Sequence, residues 1–168
     1  MQGNNIYLRD VISSDASIIF LWENLKEYRQ YGNSNQRFSL VEIADFIEFS
    51  KDVITNKQLR FMVCMAKSER IIGIIDLYDI NFIHEEASIG ILIGDKKFRN
   101  KGYGIESIQL LEKYAFKNLA IKRIRSFINK ENWKSIKLFK KVGYQEVSDS
   151  SVKAPQNVII LEHQLERK

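Results

Sequence analysis

Phe98-Arg99-Asn100-Lys101-Gly102-Tyr103-Gly104 stands between two stretches of opposite character. Before it runs Ala87-Ser88-Ile89-Gly90-Ile91-Leu92-Ile93, a bounded apolar run that reads as a buried strand. After it, residues 105–119 place apolar side chains at Ile108, Leu111 and Ala115, the three-then-four spacing of one helix face. A strand, a basic glycine-containing turn and a helix, in that order, make an anion site. The first turn of a helix leaves backbone N–H groups without partners, and the helix dipole adds partial positive charge there. Gly102 and Gly104 let the backbone take unusual φ/ψ angles and approach a ligand closely. A pyrophosphate fits such a cradle. The same residues alone also read as a plain turn with Arg99 and Lys101 solvated, so the rest of the chain has to decide.

A chain of 168 residues, 45% hydrophobic and 28% charged, has the make-up of one globular domain spanning 1–168 with a core of its own. The 26 Lys and Arg against 21 Asp and Glu leave a mild excess of +5, which suits an anionic ligand without requiring nucleic acid. Neither a basic and aromatic stripe nor a known nucleic-acid motif is present. Cys64 is the one cysteine, so no intrachain disulfide forms; within Phe61-Met62-Val63-Cys64-Met65 it reads as a small buried hydrophobe. No apolar run approaches a membrane span and no signal-peptide core opens the chain, so a cytoplasmic protein is expected. His84 and His163 lack the Cys or Asp spacing of a zinc site, and no metal is predicted.

Working outward, Ile6-Tyr7-Leu8-Arg9 alternates like a first strand. Ser13 or Ser14 offers an N-cap for a helix bearing Ala16, Ile19, Phe20 and Leu25. Ser39-Leu40-Val41-Glu42 is a capping box, opening a helix with Ile43, Phe46 and Ile47 on its buried stripe. Between them the polar residues 28–38 read as a loop of the kind that covers a substrate. Strand-like runs follow at 60–66, 71–80 and 87–93, the first two joined by the tight Ser68-Glu69-Arg70 connection of a hairpin. Residues 123–129 give a fifth strand, and Asn132 caps a short helix with Ile136 and Phe139 that Gly143 stops. Residues 144–148 and 158–164 close the chain as strands. The fold class is α/β, a mixed, mostly antiparallel seven-stranded sheet flanked by about four helices.

These elements carry a resemblance. Arg99-Asn100-Lys101-Gly102-Tyr103-Gly104 is similar to the Arg/Gln-x-x-Gly-x-Gly/Ala signature of the GNAT family of N-acetyltransferases. Asn132-Trp133-Lys134-Ser135-Ile136-Lys137-Leu138-Phe139-Lys140-Lys141-Val142-Gly143-Tyr144 resembles its second signature, Asn-x-x-Ala-Ile-x-Leu-Tyr-x-Lys-x-Gly-Phe. Either motif alone is weak; both, about thirty residues apart on the right elements, are specific, and the similarity runs over nearly the whole chain. The resemblance implies acetyl-CoA as acyl donor. Arg99, Asn100, Lys101, Gly102, Tyr103 and Gly104 then hold its pyrophosphate, and the backbone of Ile91, Leu92 and Ile93 pairs with the pantetheine arm. Asn132, Ser135 and Phe139 complete the cofactor contacts, and Leu92 or Ile93 polarises the thioester carbonyl through its N–H.

Two departures stand out. The family usually has tyrosine at position 139 to protonate the leaving thiolate, and phenylalanine has no proton to donate, which leaves water or Tyr144. Asp76-Leu77-Tyr78-Asp79 is similar to a segment of spermidine acetyltransferases that carries Glu at both Asp places, in a branch that includes ribosomal-protein N-terminal acetyltransferases. Asp76 and Asp79, three apart, point to opposite faces of a regular strand; Asp79 is the preferred catalytic carboxylate, to attract and deprotonate an ammonium. Ser88 stands where polyamine acetyltransferases tend to have Glu, with Glu85 and Glu86 nearby. The expected activity is acetyl transfer to a small primary amine, a polyamine or an amino sugar. The rivals are protein N-terminal acetylation and a non-catalytic acetyl-CoA sensor. No nucleic-acid or membrane partner is expected; the sequence does not fix the oligomeric state, though members of the family it resembles are often homodimers.

Overall fold

The computed structural model describes residues 1–29, 37–49, 51–148 and 154–166. Seven strands form one sheet: β1 (Ile6–Asp10), β2 (Leu59–Met65), β3 (Ile71–Asn81), β4 (Glu86–Ile93), β5 (Arg123–Asn129), β6 (Gln145–Val147) and β7 (Val158–Gln164). Their order across the sheet is β1-β2-β3-β4-β5-β7-β6. Every neighbouring pair is antiparallel except β4 and β5. The mixed, mostly antiparallel sheet is as expected. Among the described residues six helices flank it: α1 (Ala16–Glu23), α2 (Lys26–Arg29), α3 (Leu40–Phe49), α4 (Val53–Asn56), α5 (Tyr103–Leu119) and α6 (Trp133–Val142). The two beyond the expected four, α2 and α4, have four residues each, too short to show a periodic apolar face.

The sheet separates two cores. One face carries Ile75, Leu77, Ala87, Ile89, Ile124 and Leu161, packed beneath Ile108, Leu111 and Ala115 of α5 and Phe139 of α6. The other face presents Met62, Cys64 and Ile74 to Ile19 and Trp22 of α1 and to Ile43 and Ile47 of α3. β5 shows the underlying logic, since its residues alternate between buried and half-buried along their whole length. Its even-numbered members enter the α5/α6 core, so Arg123, Arg125 and Phe127 belong to the α1/α3 face.

The caps follow local chemistry. Ser39 and Glu42 exchange hydrogen bonds with each other's backbone N–H groups at 2.7 and 3.1 Å, completing the capping box. The start of α1 differs from expectation. Neither Ser13 nor Ser14 caps it; a 3-10 turn, Ser13–Asp15, precedes it, and the buried Asp15 accepts from the Ile12 N–H at 2.9 Å while pairing with Arg9 at 2.7 Å. Phe20 is exposed, and Trp22 fills the core from α1 instead. Of the loop expected at 28–38, the first residues close α2, and 30–36 lie outside the described residues. Among the described residues no helix is long and apolar enough to cross a membrane.

Trp22 packs over Gly94, just past the end of β4, and a Cβ there would collide with the indole ring. Gly94→Ala should therefore cost about 1–3 kcal/mol by overpacking. That is a fall of several degrees in Tm for a domain this size, measurable by calorimetry. An unchanged Tm would mean that Trp22 repacks freely.

Candidate active site

Parallel strands β4 and β5 part company along their length. Residues 86–88 pair with residues 123–125, and there the ladder ends. β5 goes on pairing with β7 as far as Asn129, whereas among the described residues no strand pairs with that edge of β4 beyond Ser88. The gap is bounded at its mouth by the first turns of α5 and α6, each of which follows one of the two strands. Ser126 on β5 donates to the Ile89 carbonyl at 3.3 Å, so the peptide groups of odd-numbered β4 residues turn toward the gap. The Leu92 carbonyl faces the other way, where a Cβ on Gly73 of β3 would collide with it. This corrects one expectation. The N–H of Leu92 is turned toward β3, and Ile91 and Ile93 are the residues whose N–H groups face the gap.

At the mouth, Gly102 takes φ +87°, and a Cβ there would meet nothing within 4 Å. It needs glycine for its backbone angle, and the space above it is free for a ligand. Gly102 ends the turn before α5 without a side-chain cap, so the first-turn N–H groups of α5 have no side-chain acceptor. Asn100, also at positive φ (60°), completes the turn. The one acidic residue of that helical turn, Glu106, is turned away to accept from the Asn5 N–H at 2.8 Å and the Ile6 N–H at 3.4 Å. Gly104 has another reason to be small: a Cβ would press on Leu138 of α6 at 3.2 Å, so it allows the two helices to approach. Lys101 is exposed beside the Phe98 ring, and Tyr103, half-buried, opens α5.

Arg99, expected among the phosphate contacts, has its guanidinium committed elsewhere. It donates to the carbonyls of Ile93 (2.9 Å) and Gly94 (3.2 Å), pairs with Glu27 at 3.0 Å, and lies over the Tyr28 ring at 5.0 Å. Tyr28 donates to the Gly94 carbonyl at 2.9 Å as well. Glu27 also binds Lys96 at 2.9 Å, and that contact, with Arg99, holds its carboxyl below the usual range against the opposing effect of burial. Arg99 thus ties α2 to the end of β4. No local pattern announces this, because Glu27 and Arg99 are 72 residues apart.

On the α6 side, the Asn132 side-chain oxygen caps the helix by accepting from the Ser135 N–H at 3.2 Å, leaving its amide NH2 as the group able to donate to a ligand. Ser135 is half-buried on the same turn. Phe139, expected to touch the cofactor, is a core residue. It is 1% exposed, and its ring meets Tyr144 edge-on at 4.9 Å. Tyr144 is no substitute acid at the gap. It is buried beside His163, which pairs with Ile124 at the closed end of β5, and burial, reinforced by Glu112, pushes its phenol well above the usual range.

The two aspartates are sorted by a bulge. The β3–β4 register shifts between Tyr78 and Asn81, and Asp79 lies inside that irregularity, exposed and at φ +50°. Counted along β3 from the partner of Leu92, it stands five residues away, about 16 Å along the strand. Asp76, not Asp79, is the aspartate that lies against β4. It pairs with Gly90, and a Cβ on Gly90 would lie 3.4 Å from both of its carboxylate oxygens, so the carboxylate leans over β4 one residue from Ile91. Desolvation raises its pKa to about 6; Arg60, 3.9 Å away, lowers it and Glu23 raises it. Arg60 in turn is held by Glu23 at 3.1 Å and by the Phe46 face at 4.3 Å. The arrangement offers an anion cradle, an unpaired strand edge and a carboxylate that titrates near neutrality.

Comparison with known proteins identifies the family and matches the fold. Residues 5–145 match the acetyltransferase (GNAT) domain family. A probable N-acetyltransferase of Bacillus subtilis (strain 168), YjcK, is 26% identical, with 98% of this chain and 94% of that protein covered. Spermidine N(1)-acetyltransferase of Escherichia coli (strain K12) is 24% identical, over 84% of this chain and 74% of its own length. The crystal structure of spermidine N-acetyltransferase from Vibrio cholerae in complex with CoA and spermine matches with a TM-score of 0.82 at 23% identity, covering 96% of each chain.

Proposed function

Because this chain belongs to the GNAT acetyltransferase family, we propose that it transfers the acetyl group of acetyl-CoA to a primary amine of a small molecule by direct attack of the bound amine. The observation that carries this reading is the open edge of β4 between two helix N-termini, with the Asp76 carboxylate leaning over it. The donor set fits the cofactor: first-turn amides of α5 and the free space at Gly102 suit a pyrophosphate. The Ile91 N–H and C=O and the Ile93 N–H suit an amide-bearing arm added like a strand. When bound, acetyl-CoA supplies the acetyl group as a reactive thioester. The residues of the chain do the remainder, apart from protonating the departing thiolate, which falls to water because Phe139 has no proton to give and Tyr144 is buried away from the gap. Ile91 and Ile93 aim N–H donors at the gap, where one polarises the thioester carbonyl. Asp76 attracts the acceptor's ammonium and accepts its proton, and the strand edge fixes the two partners side by side.

The test is thiol release from acetyl-CoA by the purified protein, over a panel of polyamines, amino sugars, amino acids and peptides with free N-termini. Amine-dependent release is expected, with acetyl-CoA raising Tm. A thermal shift without release from any amine favours a sensor, and the absence of both release and thermal shift refutes the cofactor assignment. Release with peptides alone assigns protein N-terminal acetylation.

A further inference from the structure

The face that Asp76 shares with α1 and α3 continues across β4, β5 and β7, and its charges are arranged in pairs. Glu23 of α1 meets Arg60 of β2 at 3.1 Å, and Arg60 stands 3.9 Å from Asp76. Glu86 of β4 binds Arg123 of β5, and Glu162 of β7 binds Arg125 at 2.7 Å. Arg125 also lies 3.8 Å from Glu86, and Arg123 lies 4.0 Å from Glu162. Among the described residues, these four carboxylates face three guanidinium groups. Glu23, Glu86 and Glu162 each have an arginine within 3.1 Å, whereas the nearest guanidinium to Asp76 is 3.9 Å away. A polyamine presents an ammonium every few ångströms and needs a run of carboxylates free to receive them. This surface offers one.

We infer that the acceptor carries a single ammonium group, seated at Asp76, on a body that is neutral or anionic, so that spermidine is a poor substrate. The inference rests on the function proposed above. Arg60 sets the selectivity. Clamped by Glu23 and stacked on Phe46, it holds a fixed positive charge beside Asp76, where the second ammonium of a polyamine would have to pass. Arg123 and Arg125, paired with Glu86 and Glu162 further along the same face, leave neither carboxylate there free for a second ammonium. Ser88, buried and paired with Tyr78 between Asp76 and this network, adds no charge. Asp79 is turned outward at the bulge.

Initial rates of thiol release with spermidine, glucosamine, glucosamine 6-phosphate and glycylglycine test this directly. At least one mono-ammonium compound should exceed spermidine in kcat/KM by tenfold or more. Arg60→Gln should narrow that ratio by about tenfold, chiefly through a lower KM for spermidine. It should also move the acid limb of the pH profile upward, because Arg60 lowers the Asp76 pKa while Glu23 raises it and Tyr78 stays neutral in this range. Arg60→Lys, which keeps the charge, should retain the wild-type preference. Preference of the wild-type protein for spermidine, or an unchanged ratio in Arg60→Gln, overturns the inference and leaves acetyl transfer standing. No release from any amine and no thermal shift with acetyl-CoA overturns the proposed function, and the inference with it.

Discussion

Asp76→Asn should lower kcat/KM by about two to four orders of magnitude, the usual contribution of a positioned general base. Acetyl-CoA affinity should change little, because the cradle lies at the far end of β4. In the wild-type protein the acid limb of kcat/KM should fall near pH 6, where Asp76 titrates, and the variant should lose that limb. Stability should move the opposite way. A carboxyl whose folded pKa is raised binds protons more tightly in the folded state, so its ionisation costs stability as pH climbs from about 4 to about 6. At pH 7 the whole cost is present. With Asp76 raised from 3.8 to about 6, it is on the order of 2–3 kcal/mol. The asparagine variant should therefore be less active and more thermostable at neutral pH, with the gap in Tm closing toward pH 4. A variant that keeps full activity would remove Asp76 from the mechanism.

Phe139→Ala should be the most damaging apolar substitution near the site, costing about 3–5 kcal/mol. The reason is burial, since the ring is 1% exposed and packs edge-on against Tyr144 beneath α6. At about 2–4 °C per kcal/mol for a domain of this size, Tm should fall by roughly 10 °C. Restoring the tyrosine usual in the family separates packing from chemistry. In Phe139→Tyr the added hydroxyl enters an apolar core, at a cost of about 1–3 kcal/mol if it finds no partner, and the rate should not rise. A tenfold gain in kcat would place position 139 in contact with the reacting atoms and refute its assignment to the core.

The parts of this protein that are legible in its sequence are those whose causes lie within one or two turns of chain. The cradle at Gly102, the Ser39–Glu42 box and the Asn132 cap each depend on residues no more than a few positions apart. Alternation in β5 and the helical spacing of Ile108, Leu111 and Ala115 are likewise local, and they placed the strands and α5 to within a residue or two. The first helix was harder, because neither adjacent serine caps it and Asp15, at its N-cap position, spends its carboxylate on Arg9 and the Ile12 N–H instead of the helix's first turn.

What alternation alone misjudged depends on pairing. Whether Leu92 or its neighbours offer N–H groups to the gap is set by the register of Gly73 against Ile93, a relation between two strands. Asp79 looked suitable on a regular strand, and the bulge after Tyr78 turned it outward. Glu27, Tyr28 and Arg99 meet only because α2 folds onto the end of β4. Composition, periodicity and two spaced motifs therefore determined the fold class, the family and the glycine-containing turn that opens α5, since each is written in short-range pattern. The contrasting environments of Asp76 and Asp79, the direction of each β4 amide and the pairing of charges on the Asp76 face were decided by tertiary structure, because hydrogen-bond register and desolvation exist only once distant segments are packed together.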